Sequence, residues 1–367
     1  MNKKTIKEGF LKKPEEKGPN RKKIGWFCTY APEELILAGG FYPIRIMGKK
    51  KLKASESYFP INFCPYLKSG WESLMAAGEE LSAVIFTNSC DGMRRLYDIA
   101  ENYLVNIPIF MLDIPRNTDS DSVDFFSLKL EDMLEFIEEI RGRIIGTRDI
   151  LDAIRLCNNK REELRVLSKS FFNCNGSLDV SDYYRLMELS ATSTPDHFLK
   201  NIKDFNKEIE EEIHKSNGDS PRIMIIGNFI TEEKLWKMFS GLDMDIVCDD
   251  LCISNRYYDN NIRADGSADR KKLLGLIAKR YLKKPECMRM ADTGKKLESI
   301  KQKVKDNSVQ GVVFISLKFC DTMLYSFPLI RKELADFKVP VLYLEIEYNS
   351  FSEGQVKTRM QAFLEMI

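Results

Sequence analysis

Apolar residues in this chain fall into short runs, and polar segments with helical period separate them. Ile24 to Tyr30, Tyr42 to Met47, Ala83 to Thr87 and Val105 to Pro115 read as strands in the first third. Between them, Pro32-Glu33-Glu34-Leu35 opens a helix that Gly39-Gly40 ends. A second helix is expected over Lys68 to Leu81 and a third after Cys90-Asp91. The early proline and the acids suit a helix N-terminus. Strands alternating with helices predict a parallel sheet covered on both faces. From about residue 119 to 216 the strand runs stop. Met133 to Arg155 and Phe198 to Lys215 there read as amphipathic helices. The α/β pattern resumes with strands at Ile223 to Phe229, Asp245 to Cys248, Gly311 to Leu317 and Val339 to Ile346. Helices are expected from the cap Thr231, over Asp269 to Leu282, over Asp292 to Lys305, after Asp321, and at the tail from Gly354.

The two flanks follow one plan. The stretch from Ala83 to Met93 is an apolar strand, a polar step, Cys90-Asp91 and a helix. The stretch from Gly311 to Met323 repeats it, with Cys320-Asp321 at the same point. Each helix leads to a strand entered through proline, Pro108 and Pro340. The expected fold is therefore α/β, with two Rossmann-like parallel-sheet domains related by internal duplication and a helical insert between them. The expected boundaries are a basic arm over 1–23, a first α/β domain over 24–118, the helical region over 119–221 and a second α/β domain over 222–367.

Charge narrows the function classes. The 367 residues carry a formal net charge of +1 with 30% charged residues, which argues against a broad nucleic-acid or membrane-surface role. Basic residues cluster in the first ~23 positions with no apolar segment behind them, so they do not form a secretory signal. No apolar run approaches the ~18 residues of a bilayer span, and a cytoplasmic location is expected. No Gly-x-x-x-x-Gly-Lys-Ser/Thr stretch is present, so any ATP step belongs to a partner.

Cysteine usage changes the picture most. There are nine cysteines and only two histidines, His197 and His214. The odd count fits a paired disulfide framework poorly, and scarce histidine leaves sulfur to carry any metal, which points to zinc or iron–sulfur chemistry. Cys157 and Cys174 fall in the helical region and read as small buried hydrophobes. Cys28, Cys64, Cys90, Cys252, Cys287 and Cys320 fall at strand ends or in the loops after strands. Open parallel sheets bind ligands at that edge, so these six either converge there or are unrelated thiols. Cys248 and Cys252 form a Cys-x-x-x-Cys pair. The long spacings speak against a zinc ribbon or a ferredoxin-type run.

Four stretches carry a family resemblance: Cys28-Thr29-Tyr30-Ala31-Pro32-Glu33-Glu34-Leu35; Cys64-Pro65 with Lys68-Ser69; Thr87-Asn88-Ser89-Cys90-Asp91-Gly92; and Gly354-Gln355 with Thr358-Arg359. Together they resemble the 2-hydroxyacyl-CoA dehydratase and benzoyl-CoA reductase family, over about residue 24 to 367. The resemblance implies a [4Fe-4S] cluster on Cys64, Cys90 and Cys320. It also implies an electron from a separate ATP-dependent iron–sulfur activator, and loss of water from a 2-hydroxyacyl-CoA through a ketyl radical. The double-cubane branch of the family implies instead an [8Fe-9S] cluster on six cysteines of one chain, the added three being Cys28, Cys252 and Cys287, with Cys248 as an alternative to Cys252. That branch reduces small molecules and is the better match here. A homodimer, or a heterodimer with a related subunit, is implied in either case, and a non-catalytic partner subunit is the reading from a different class.

Softer expectations complete the set. Glu33 and Glu34 are candidates for acid–base catalysis beside a cluster, or ordinary acids of a first helical turn. Glu345, Glu347 and Tyr348 follow the last strand and are placed in the cleft. Lys68, Arg94 and Arg95 either meet an anionic group such as a CoA phosphate or form a solvated helix face.

Overall fold

The computed structural model describes residues 22–48, 55–77, 80–173, 178–211, 220–348 and 351–367. Most of the basic arm, Cys174 and His214 lie outside the described residues.

In the first sheet, β1 (Lys23–Trp26), β2 (Tyr42–Arg45), β3 (Leu81–Thr87) and β4 (Ile109–Leu112) lie in the order β2-β1-β3-β4, and every pairing is parallel. In the second, β5 (Arg222–Gly227), β6 (Asp245–Asp250), β7 (Gly311–Leu317) and β8 (Val341–Ile346) lie in the order β6-β5-β7-β8, again all parallel. Strand for strand the two sheets share one order, as the repeated pattern predicted. The central strands β3 and β7 are the longest apolar runs, and both are buried almost throughout, as parallel strands covered on two faces must be.

Helices α1 (Glu33–Ala38), α2 (Pro65–Ala77) and α3 (Asp91–Tyr103) belong to the first half. The helical region contains α4 (Ser120–Arg141), α5 (Thr147–Asn173), α6 (Val180–Thr192) and α7 (Pro195–Glu211). The second half adds α8 (Glu233–Ser240), α9 (Asn255–Tyr258), α10 (Arg270–Lys283), α11 (Thr293–Asp306), α12 (Asp321–Asp336) and α13 (Glu353–Leu364).

Two local expectations are corrected. The helix expected over Met133 to Arg155 is two helices, because Gly142 takes a left-handed φ of 76° and its N–H closes on Glu138, ending α4. Thr231 is not the cap of α8. Glu232 holds that position without a side-chain bond, while the Thr231 hydroxyl donates to the Met47 carbonyl in the first half.

The insert binds the halves together. α4 packs on α10, and α5 packs on α1, α7 and β6. One hydrophobic core runs through both sheets and the insert, and Trp26 stacks on Tyr257 across it. A smaller core that includes Met224, Ile226, Cys248, Val312 and Phe314 lies in the second half.

Candidate metal centre

The carboxyl ends of both sheets carry the cysteines. Cys28 lies two residues beyond β1, Cys252 two beyond β6, and Cys90 and Cys320 are the N-caps of α3 and α12, after β3 and β7. Cys64 immediately precedes α2, and Cys287 lies in the loop between α10 and α11. Seven of the described cysteines are thus accounted for by this edge and by Cys248; the eighth, Cys157, is fully buried on α5. All eight are free thiols.

The six cysteines at the edge act on one another electrostatically. Burial pushes Cys64 far up, and thiolate charge on Cys320 and Cys90 pushes it further. Cys90 is pushed up to about 11, first by burial, against the Met93 N–H that donates to its sulfur at 3.4 Å; Cys320, Cys28 and Cys287 add to the rise. Cys252 and Cys287 are hydrogen-bonded. The bond from Cys252, helped by Arg256 and Arg289, lowers the Cys287 thiol well below the usual range against its burial. Cys320 is raised by burial, against the Met323 N–H and the Asn228 side chain, and by charge on Cys287. Among the described residues no three His, Cys, Asp or Glu side chains are grouped closely enough to hold a single metal ion.

Cys248 stands apart. It is 8% exposed within the smaller core, and burial pushes its thiol up to about 12.

Hydrogen bonds within and between the halves fix the loops around the cysteines, and those of Arg45 to Cys252, Lys284 to Thr29 and Arg289 to Ser89, Ile114 and Pro115 cross from one half to the other. Arg45, at the end of β2, donates to the Phe27 carbonyl at 3.1 Å and to the Cys252 carbonyl at 3.0 Å. Tyr66 donates to the Ile46 carbonyl. Lys284 donates to the Thr29 carbonyl at 2.6 Å and to its hydroxyl at 2.9 Å. Arg289 donates to the carbonyls of Ser89, Ile114 and Pro115. Arg256 forms a bidentate pair with Asp250 and donates to the Cys252 sulfur at 3.4 Å.

Glu33 and Glu34 are buried, one turn beyond Cys28. Glu33 pairs with Lys160 at 2.8 Å and accepts from the Tyr257 hydroxyl. Glu34 pairs with Arg161 and accepts from the Tyr281 hydroxyl. Burial pushes Glu34 up, but the guanidiniums of Arg161 and Arg280 outweigh it and keep its carboxyl below the usual range. Glu347 pairs with Lys318 on a half-exposed surface, Glu345 is exposed, and the Tyr348 hydroxyl donates to the Phe229 carbonyl. Lys68 is buried and donates to the Ile61 carbonyl, whereas Arg94 and Arg95 are exposed.

Sequence reasoning missed Arg45, Asn228, Arg256, Lys284 and Arg289. Three of them have a local signal: Arg256 is one helical turn past Cys252, while Lys284 and Arg289 bracket Cys287. Nothing local marks Arg45.

The donor set of six thiols suits an iron–sulfur group, since soft thiolate ligands select such clusters. Buried cations beside them would balance its negative charge. A family model described as 2-hydroxyglutaryl-CoA dehydratase, D-component, matches residues 28–367. The chain is 24% identical to the (R)-phenyllactyl-CoA dehydratase beta subunit of Clostridium sporogenes, over 98% of this chain and 95% of that one. It is 23% identical to the beta subunit of lactoyl-CoA dehydratase of Anaerotignum propionicum, over 94% and 91%. It is also 23% identical to a benzoyl-CoA reductase subunit from Thauera aromatica, over 96% and 92%.

Proposed function

Because the chain belongs to the 2-hydroxyglutaryl-CoA dehydratase D-component family, we propose that it is an iron–sulfur reductive enzyme. It takes low-potential electrons from an ATP-dependent iron–sulfur activator and reduces a small molecule at a cluster on Cys28, Cys64, Cys90, Cys252, Cys287 and Cys320. The observation that carries this reading is that six cysteines, three from each half, lie at the carboxyl ends of the two sheets, where Cys252 is hydrogen-bonded to Cys287 and Arg45 of the first half bonds the Cys252 carbonyl at 3.0 Å. A set of three would leave Cys28, Cys252 and Cys287 as half-buried thiols beside the buried cations Arg45, Arg256 and Arg289, which among the described residues bond a single acid, Asp250.

When bound, such a cluster supplies one-electron reduction and an iron able to polarise a substrate oxygen. The chain's own part is to hold the thiolates. Cys64, Cys90 and Cys320 receive N–H groups from the first turns of α2, α3 and α12, where the helix dipole favours negative charge. The bond from Cys252 and the charges of Arg256 and Arg289 favour negative charge on Cys287. Glu33 and Glu34, fixed by Lys160 and Arg161, anchor the helix that follows Cys28 and so serve as positioning residues.

A second reading rests on the relatives, which are named as subunits of CoA dehydratases and a CoA reductase. In it the chain pairs with a related subunit and bears one [4Fe-4S] cluster on Cys64, Cys90 and Cys320, acting on a 2-hydroxyacyl-CoA. Iron and acid-labile sulfide, measured per chain after anaerobic purification, separate the two. About eight irons support six ligands, about four support three, and none would remove both readings.

A further inference from the structure

The two cysteine triads are not electrostatically equal. Cys64, Cys90 and Cys320 are met by backbone N–H groups of Tyr66, Leu67, Met93 and Met323 and by the Asn228 amide, and Asp321 adds negative charge beside Cys320. Cys28, Cys252 and Cys287 are met by full charges. Arg256 reaches the Cys252 sulfur at 3.4 Å, Arg45 is fixed on the Cys252 carbonyl at 3.0 Å, and Arg289 lies beside Cys287. Arg256, Arg45 and Arg289 are 1%, 3% and 7% exposed. Lys284 lies in the same shell, on Thr29 and over the Tyr30 ring at 4.0 Å.

Carboxylates do not cancel this charge. Among the described residues Asp250 is the single acid bonded to Arg256, and it also meets Lys303 at 3.5 Å. Glu286, next to Cys287, lies among Lys283, Lys295, Lys296 and Asp292. Among the described residues Arg45 and Arg289 donate to carbonyls and to the Met290 sulfur rather than to acids. Buried cations without carboxylates need an anion nearby, and arginine keeps its charge under all ordinary conditions.

We propose that Arg45, Arg256 and Arg289 form a cation cage that makes the Cys28–Cys252–Cys287 half of the site the more easily reduced half. The proposal rests on the six-cysteine reading. Positive charge and donors near ligand sulfurs stabilise the reduced, more negative state and so raise the potential. The electron enters the caged half first, and no bond forms or breaks in that step. The half on Cys64, Cys90 and Cys320 is reduced second and is the stronger reductant.

The test is a redox titration of the anaerobically purified holoprotein with titanium(III) citrate, followed by electron paramagnetic resonance. Wild type shows two separated reduction steps. Arg289→Met lowers the first: at the wild-type midpoint its reduced-to-oxidised ratio falls about tenfold, or about 59 mV for one electron. Arg289→Lys, which keeps the charge, restores most of it. Arg45→Met and Arg45→Lys repeat the comparison from the other half of the chain, should the Arg289 variants fail to fold. Asn228→Ala moves only the second step. Steps that shift together, or a first step that the Met variants leave in place at full iron content, overturn the cage. Wild-type protein with about four irons or fewer overturns the six-cysteine reading and the cage with it.

Discussion

Lys160 and Glu33, 127 residues apart, form an ion pair of 2.8 Å in which the two side chains are only 2% and 4% exposed. The lysine also donates to the Tyr257 hydroxyl and the Ser190 carbonyl. One contact thus joins the first half, the insert and the second half. Lys160→Met strands a buried carboxylate and is expected to cost about 3–5 kcal/mol, whereas the double variant with Glu33→Gln recovers most of that. Urea unfolding of the three proteins measures this. A double variant no better than the single would show that the lysine acts by packing alone.

Asp249 gives stability a pH dependence of unusual sign. Burial pushes its carboxyl up to about 6 from an ordinary 3.8, against the bonds from Ser254 and Tyr184 and the charge of Lys303. A group raised on folding contributes stability below its unfolded value and loses it as pH rises through its folded value. Wild type should therefore lose ground against Asp249→Asn between about pH 4 and pH 6, by about 3 kcal/mol in all. Urea midpoints at a series of pH values measure the gap. A gap that stays constant from about pH 4 to 7 removes the prediction.

Cys248 and Cys252 offer a direct comparison, since they are four residues apart, Cys252 is hydrogen-bonded to Cys287, and Cys248 lies in the smaller core. Cys252→Ala should lower bound iron. Cys248→Ala should leave iron content unchanged and cost about 1 kcal/mol through a small cavity. Equal iron loss in both variants would return Cys248 to the ligand set.

Gly227 ends β5 one residue before Asn228. A Cβ there would meet the Leu251 Cδ2 at 2.9 Å and the Ile315 carbonyl at 3.0 Å. The second contact is backbone and cannot swing aside. Gly227→Ala is expected to cost about 1–3 kcal/mol, and, because it displaces Asn228, to lower iron retention as well. Stability near that of wild type by thermal unfolding would count against this packing.

Much of the architecture was legible because it depends on local pattern. Continuous apolar runs marked β3 and β7, and the residues that follow placed Cys90 and Cys320 as caps of equivalent helices. The helical insert showed through its charge and its missing strands. What stayed hidden depends on distant partners. Glu33 and Glu34 look in sequence like ordinary first-turn acids; their burial is set by Lys160 and Arg161 on α5. Arg45 sits in a strand with no sign that its guanidinium reaches Cys252, 207 residues away. The break at Gly142 was missed because the apolar spacing continues across it while the backbone does not.

The spread of the thiols along the chain also sets an order in time. Cys28 leaves the ribosome long before Cys320 and the helix that it caps. Neither sheet alone brings the six thiols together, so a nascent chain offers an iron-delivery system only scattered cysteines. On the six-cysteine proposal, loading waits until both sheets have been made.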